Sequence, residues 1–354
     1  MKKGLFIFLL ILALIVIAIL IFALTSCASF GRAPRGARLE RVKLSPHYKD
    51  GHFENEEETV TMTSNKGFFA AMKDFLFTSY PDTVPTEDVP SIKTDLNAIA
   101  KDEECIVWFG HSSYLLQTAG VRFLVDPVFL QYSPVSFANK PFPGSSIYTP
   151  DDMPPIDYLV ISHDHWDHLD YKSAKALLSK TEKVILPLGV GEDFEYWGWP
   201  LEKIIELDWN ESAELKNGIR VDCLPSRHFS GRGLRRAKTL WASFMVISPK
   251  NTLFLGGDGG YDGRFKRFGE AYTIDWAILE NGQYSKDWSQ IHCLPDQVLA
   301  AAKELKAKHI LTVHWGKFCL STHPWTEPLE NARKMKEAGL DVVTEQVIGQ
   351  KFPL

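Results

Sequence analysis

The stretch HDHWDH, residues 163–168, places three histidines and two aspartates within six positions. It follows DYLVIS, residues 157–162, an apolar and β-branched run that predicts a buried strand. In an extended turn after that strand, His163 and His165 would point to the same side, while Asp167 could reach a second point nearby. Imidazole and carboxylate groups bind Zn²⁺, and a site without thiolates is typical of catalysis rather than structure. The alternative is a polar turn with exposed histidines.

Residues further along the chain favour the metal site over that alternative. His228, Asp258 and His314 each follow an apolar, strand-like run, such as HILTV at 309–313. Side chains at the carboxyl ends of successive strands can converge on one edge of a folded sheet. The chain therefore offers five His and two Asp in such positions, enough for two divalent ions with one bridging carboxylate. Two ions about 3.5 Å apart can hold a water molecule and activate it near neutral pH.

The HDHWDH stretch matches the HxHxDH motif of the metallo-β-lactamase superfamily, which the chain resembles. The resemblance implies an α/β fold, the metallo-β-lactamase αβ/βα four-layer sandwich, with two divalent ions, expected to be Zn²⁺, at one edge. It implies that the first ion is bound by His163, His165 and His228, the second by Asp167, His168 and His314, and that Asp258 bridges them. Asp167 and Asp258 would also hold the attacking water in place.

Five shorter blocks resemble one branch of that superfamily, which contains the N-acylphosphatidylethanolamine-hydrolysing phospholipases D. They are WFGHSS (108–113), DPVF (126–129), SRHFSGRG (226–233), GDGGY (257–261) and HWGKF (314–318). The resemblance implies a metal-dependent hydrolase that cleaves a phosphodiester, with a phospholipid as substrate and the membrane as partner. A lactonase or other carboxylic-ester hydrolase is the alternative. A non-catalytic lipid- or metal-binding surface protein is a third interpretation, against which the complete ligand set argues.

Four residues outside the ligand set are weaker candidates for the site. His292 lies at the mouth of a predicted strand-to-helix loop, so we assign it to substrate contact or to proton delivery to the leaving group; helix capping is the alternative. His111 is a candidate for the substrate pocket or for orienting a ligand, or it is a structural histidine. Arg232, in the basic segment 232–238, would bind a phosphate group or lie in a solvated loop. Asp126 would orient a metal-bound histidine or cap a turn.

The amino-terminal segment predicts a membrane tether. Residues 5–24 are apolar without interruption, and roughly 20 helical residues span a bilayer core. The sequence Leu24-Thr25-Ser26-Cys27 resembles a bacterial lipobox, which makes Cys27 a candidate lipidation site. A retained helix is the alternative, since apolar regions of signal peptides are usually shorter. Basic residues after the segment do not favour export, but a cleaved lipoprotein escapes that rule, so we expect an exported domain.

Composition and length predict one large domain behind this tether. The chain has 354 residues, of which 45% are hydrophobic, and a formal charge of −5 that gives no reason to expect nucleic-acid binding. We expect a tether at 1–27, a linker and amino-terminal arm at 28–100, and the hydrolase domain at 101–354. The five cysteines include no CxxC pair, and we expect buried thiols at Cys105 and Cys223 rather than disulfides.

Hydrophobic periodicity predicts the main elements of the domain. Strands are expected at 105–109, 113–118, 121–125, 157–162, 184–186, 219–223, 241–247, 252–255 and 276–279, and helices at 171–178, 294–305 and 328–338. Such an order suits two sheets back to back with helices outside. Residues 67–80 carry apolar side chains at helical spacing, which indicates either a helix packed on the core or a lipid-facing lip.

Overall fold

Two mixed β-sheets pack face to face, and helices cover their outer faces. These features come from a computed structural model, which describes residues 4, 6–14, 16–17, 27–64, 78, 80–133, 139–233 and 236–354. In chain order the strands are β1 (Tyr48–Lys49), β2 (His52–Phe53), β3 (Cys105–Trp108), β4 (Tyr114–Thr118), β5 (Val121–Val125), β6 (Ile156–Val160), β7 (Thr181–Pro187), β8 (Ile204–Leu207), β9 (Ser212–Glu214), β10 (Arg220–Leu224), β11 (Ser243–Ile247), β12 (Thr252–Leu255), β13 (Trp276–Glu280), β14 (His309–Val313) and β15 (Lys351–Pro353).

Each sheet joins an antiparallel half to a parallel half. The first sheet has the order β15-β3-β4-β5-β6-β7-β8, and its pairs are parallel from β5 onward. The second has the order β14-β13-β12-β11-β10-β9, with parallel pairing from β12 to β14. Parallel neighbours end at the same edge of a sheet, so the loops after β12 and β14 lie at one edge of the second sheet, and the loops after β5 and β6 lie at one edge of the first.

Alternation of side chains along the strands produces the layers. In β5, Phe123 and Val125 join the core between the two sheets, while Leu124 packs into the outer core of the first sheet. In β12, Leu253 faces the central core and Phe254 faces the outer core of the second sheet. Three apolar layers therefore separate four structural layers, and the predicted αβ/βα sandwich is confirmed.

The described helices of the domain lie on these outer faces or on the arm before them. They are α1 (Gly36–Leu44), α2 (Tyr171–Leu177), α3 (Gly191–Tyr196), α4 (Arg264–Ala271), α5 (Pro295–Leu305) and α6 (Glu327–Glu337). α5 buries Val298, Ala301 and Leu305, positions three and four apart, against the second sheet. The three predicted helices are confirmed as α2, α5 and α6, with ends that differ by one residue.

The strand predictions are also confirmed, with small shifts at the ends. The predicted strand 241–247, for example, begins at Ser243. The strands β1, β2, β8, β9 and β15 were not predicted. β9 reads Ser-Ala-Glu, and neither its length nor its polarity carries a strand pattern. β15 contributes a single buried side chain, Phe352, to the edge of the first sheet.

Ion pairs attach the amino-terminal arm to the domain. α1 lacks an apolar stripe and buries only Val42, so periodicity did not reveal it. The side chain of Arg38 is 8% exposed and lies 3.0 Å from Glu192 Oε2 and 2.6 Å from Glu206 Oε2. Charged hydrogen bonds of this kind are stronger than neutral ones. Part of the segment expected to be a linker or arm is therefore a helix bound to the first half of the domain.

The predicted membrane span and the predicted amphipathic helix lie only partly within the described residues. Residues 6–14 are helical and exposed, and within the described residues no helix is both long and apolar enough to cross a membrane. Residues 5, 15 and 18–24 of the predicted span lie outside the described residues, as do 67–77 of the predicted amphipathic helix.

All five cysteines are described and free, and Cys105 and Cys223 are buried, as expected.

Candidate metal centre

The residues predicted to bind metal follow the ends of four strands at one edge of the sandwich. His163 and His165 come after β6, His228 after β10, Asp258 after β12, and His314 directly after β14. The three strands of the second sheet point the same way, since β12 and β14 are each parallel to β13, and β10 and β12 are both antiparallel to β11. The fold therefore brings side chains from distant parts of the sequence to one place.

Three imidazoles form a compact first cluster, defined here as His163, His165 and His228. Nδ1 of His165 lies 2.8 Å from Nε2 of His163 and 3.1 Å from Nε2 of His228. One ring nitrogen from each histidine lies within 4.8 Å of the others. These are the three residues predicted for the first metal.

A second cluster, Asp167, His168 and His314, lies beside the first. Oδ2 of Asp167 is 3.4 Å from Nε2 of His314 and 3.6 Å from Nε2 of His168. Together with His111, these residues offer ligand atoms within 4.8 Å of one another. They are the three residues predicted for the second metal.

Asp258 lies between the two clusters. Its Oδ2 is 3.1 Å from Nε2 of His168 and 3.1 Å from Nε2 of His314. The same oxygen is 3.9 Å from Nε2 of His163 and 3.9 Å from Nε2 of His228. One carboxylate oxygen is therefore close to two imidazoles of each cluster, which is the position that a bridging ligand requires.

The donor atoms fit divalent ions. Nδ1 of His228 donates to the carbonyl oxygen of Ile291 at 2.9 Å, and Nδ1 of His168 lies 2.8 Å from Asp126 Oδ2. These contacts turn Nε2 of each ring inward as an acceptor, the arrangement usual around metal-bound histidines. Oδ1 of Asp258 is buried and has no hydrogen-bond partner among the described residues. A bound cation would satisfy such an atom.

The two clusters differ in protonation when no ion is bound. Burial lowers the pKa of each imidazole in the first cluster, that of His165 to about 4. In the second cluster burial acts in the same direction, but the nearby carboxylates, chiefly Asp258 and Asp167, together outweigh it and raise the pKa of His168, and that of His314 to about 10. The first cluster is therefore neutral near pH 7, whereas an ion that enters the second displaces protons.

Asp126 and His111 hold the second cluster from behind. Asp126 accepts from the backbone N–H of Ser162 at 2.7 Å as well as contacting His168. This supports the orienting role over the capping role. His111 is 0% exposed, and its Nε2 lies 2.8 Å from Asp167 Oδ2. This contact supports the role of orienting Asp167, a candidate ligand, while the predicted substrate contact stays a prediction.

Three residues at this edge have left-handed backbone conformations. The φ angles are 52° at His111, 40° at Asp126 and 70° at His314. Non-glycine residues rarely adopt such angles, and when they do they cluster at functional sites. These backbone conformations therefore direct the side chains of the three residues toward the second cluster.

His292 lies beside the second cluster, next to a residue that the sequence analysis missed. Its Nδ1 is 2.9 Å from Oε2 of Glu280, and its ring stacks on that of His314 at 5.2 Å. Among the described residues it makes no capping bond to α5; the N–H of Leu294, the residue before α5, donates instead to Gln297 Oε1 at 2.9 Å. Glu280 is the last residue of the apolar strand β13, an acidic residue at a strand end like the other candidates, and that signal could have revealed it.

Arg232 occupies a different environment from the one predicted. It is 4% exposed, and its Nη1 donates to the carbonyl oxygen of Asp164 at 2.9 Å while its Nε donates to that of Ser29 at 2.8 Å. Its guanidinium lies 4.1 Å from the ring centre of Trp166. The solvated-loop alternative is therefore wrong for Arg232, since these contacts tie the HDHWDH loop to the start of the arm. Its predicted role in phosphate binding stays a prediction.

Comparison with known proteins identifies the family to which the chain belongs. Residues 121–315 match the β-lactamase superfamily domain. An uncharacterized protein of Mycobacterium tuberculosis is 34% identical over 316 residues, 87% of this chain and 84% of that protein. N-acyl-phosphatidylethanolamine-hydrolyzing phospholipase D 1 of Caenorhabditis elegans is 32% identical over 254 residues, 66% of this chain and 70% of that protein.

A solved structure shares the fold. Igni18, a metallo hydrolase from Ignicoccus hospitalis, has a TM-score of 0.55 at 21% identity and covers 71% of this chain and 97% of its own. Fold and site together define a metal-dependent hydrolase with the metallo-β-lactamase fold. The chain belongs to the β-lactamase superfamily, in the branch that includes the N-acylphosphatidylethanolamine-hydrolysing phospholipases D.

Proposed function

We propose that the protein is a phosphodiesterase of phospholipase D type, which hydrolyses N-acylphosphatidylethanolamine-like lipids at a dinuclear zinc centre. The position of Asp258 carries the proposal, because one oxygen lies within 3.9 Å of imidazoles from both clusters. The lipid substrate is supported by the similarity to the Caenorhabditis elegans phospholipase. Zinc is favoured because the ligands are imidazoles and carboxylates without thiolates.

The residues of this chain would have separate roles at such a centre. The first cluster would hold one ion, the second cluster the other, and Asp258 both. Bound divalent ions polarise the phosphodiester and lower the pKa of a water molecule. Asp167 and Asp258 would orient that water. As its oxygen bonds to phosphorus and the bond to the headgroup oxygen breaks, His292 would give a proton to the departing alcohol.

A substrate panel tests this proposal. The purified protein, loaded with Zn²⁺ or Mn²⁺, should release the headgroup alcohol from N-acylated phosphatidylethanolamine in mixed micelles and should also cleave a simple phosphodiester. Its turnover of a lactone and a carboxylic ester should be lower by roughly 10²-fold or more, because a site organised for one transition state stabilises another poorly. The products are separated by mass spectrometry.

The matched control for this panel is the same protein after removal of metal by a chelator, with activity restored by added ion. Preferred turnover of the lactone would support the alternative carboxylic-ester hydrolase. Absence of turnover on every substrate by the metal-loaded protein would support a binding protein and would contradict the proposed function.

We further propose that residues 1–27 tether the enzyme to a membrane, with the domain on the exported side. The full-length protein should sediment with membranes, and residues 28–354 should remain in the supernatant, because residues 5–24 carry the apolar length. If Cys27 is acylated, wild-type protein should incorporate a fatty-acid analogue and Cys27→Ala should not. Cys105→Ala, at a buried thiol, is the matched control.

Incorporation by both variants, or by neither, would exclude acylation at Cys27 and leave a retained helix as the tether. Full-length protein found entirely in the supernatant would contradict the tether in either form.

A further inference from the structure

We propose that Asn55 is a positioning residue for the first metal, because its side chain brackets the backbone of His228. Nδ2 of Asn55 donates to the His228 carbonyl oxygen at 2.8 Å, and Oδ1 accepts from the His228 N–H at 3.1 Å. Trp241 also donates from Nε1 to Oδ1, at 3.0 Å. One amide thus pairs with both backbone groups of one ligand residue, as a neighbouring strand would. The inference rests on the metal centre proposed above.

The bracket complements the contact that orients the His228 ring. Nδ1 of that ring donates to the carbonyl oxygen of Ile291 at 2.9 Å, which leaves Nε2 directed at His165, 3.1 Å from its Nδ1. The ring contact fixes the rotation of the imidazole, whereas the bracket fixes the backbone from which it projects. A metal site needs both, since its ligands must be held within about 0.5 Å of the productive geometry.

Residues 53–63, called the strap here, fix the side-chain amide of Asn55 through contacts made before and after Asn55 in the sequence. Phe53 is 2% exposed and packs into the core between the sheets. Beyond the amide, Thr59 Oγ1 accepts from Arg227 Nε at 3.0 Å, and the Val60 N–H donates to Gln290 Oε1 at 2.7 Å. Arg227 precedes His228, and Gln290 precedes Ile291. The strap therefore joins the loop that carries the ligand to the loop that orients it.

This arrangement serves the first cluster and not the second. The second cluster is held from behind by other groups, since Asp126 contacts His168 at 2.8 Å and His111 contacts Asp167 at 2.8 Å. Neither of these contacts involves the strap. Loss of the bracket should therefore weaken one metal position selectively, which a general loss of stability would not do.

Asn55→Asp tests this inference, because it keeps the size of the side chain but replaces its donor with a carboxylate oxygen that faces the His228 carbonyl. Metal-free protein is titrated with Zn²⁺ in competition with a chromophoric chelator, and the first-site step is identified as the one that His165→Ala removes. We expect the first-site affinity to fall by roughly 10- to 100-fold, the usual cost of losing an outer-shell partner. The second-site affinity should stay within about twofold, because that site is not touched.

Glu57→Gln, an exposed change in the same strap, is the matched control and should leave both affinities unchanged. Thermal unfolding of the metal-free variants separates positioning from stability. Equal weakening of both steps with a lower unfolding temperature, or no weakening of either, would overturn the inference. If Asn55→Asp does not fold, Asn55→Ala removes all three hydrogen bonds of the amide without adding charge. A wild-type protein that binds no Zn²⁺ would instead contradict the proposed metal centre.

Discussion

Asp258→Asn should lower kcat/KM by on the order of 10³-fold or more, because both metal positions depend on this carboxylate. The amide keeps the shape of the side chain but removes the negative charge that lies 3.1 Å from His168 and from His314. An amide is also a weaker ligand, and its NH₂ group would face imidazole nitrogens. Elemental analysis of the purified variant should therefore find fewer than two ions per chain, against about two in the wild type.

Two comparisons give this prediction its specificity. Asp151→Asn, at an exposed aspartate, should keep full activity and metal content. His314→Ala should lose mainly the second ion, since His314 belongs to one cluster only. An Asp258→Asn protein that holds two ions and retains turnover within tenfold would show that this carboxylate does not bridge. A wild-type protein that never holds more than one ion at saturation would refute the dinuclear centre.

His292→Ala should keep its metal and its fold but lose roughly 10²-fold or more in turnover, the usual contribution of a general acid. Its Nδ1 is directed at Glu280 at 2.9 Å, which leaves Nε2 available to a substrate. The side chain is 12% exposed, whereas His314, on which it stacks, is 1% exposed. His292 is therefore the more accessible imidazole of the pair.

The choice of leaving group shows whether the lost step is proton delivery. A phosphodiester with a nitrophenolate leaving group needs little protonation, so the defect of His292→Ala should shrink on that substrate. Glu280→Gln, which keeps the imidazole but changes its partner, should lose about tenfold, as expected for an orienting residue. Equal defects on both substrates would assign His292 to substrate binding. Loss of metal would make it a ligand, and near-normal turnover would exclude it from the mechanism.

The clustering of the candidate metal-binding residues was predictable because these residues follow apolar runs that are typical of strands. His228, Asp258 and His314 each carry this local signal, and one dense motif supplies the other ligands. The pattern of side chains on β5 and β12 likewise predicts which faces are buried. These features depend on residues close together in the sequence, so local sequence patterns are enough to predict them.

Features that depend on distant polar pairs were not predictable. Nothing near Asn55 indicates that its amide would meet His228, 173 positions away. α1 is held by Arg38 through carboxylates more than 150 positions away rather than by an apolar stripe. Hydrogen bonds and ion pairs have no periodicity, and their partners are set only after the sheets have packed. For the same reason the structure alone shows that Arg232 is buried.

The left-handed residues His111, Asp126 and His314 have a consequence for handling the protein. Each such conformation costs on the order of 1 kcal/mol or more, which the rest of the domain must offset. Ions that bind only the folded edge add stability in proportion to the logarithm of their free concentration. Chelating buffers would therefore lower the melting temperature as well as the activity. The yield and the storage stability of the protein would depend on trace metal during purification. Preparations with different metal content would differ in melting temperature and in activity.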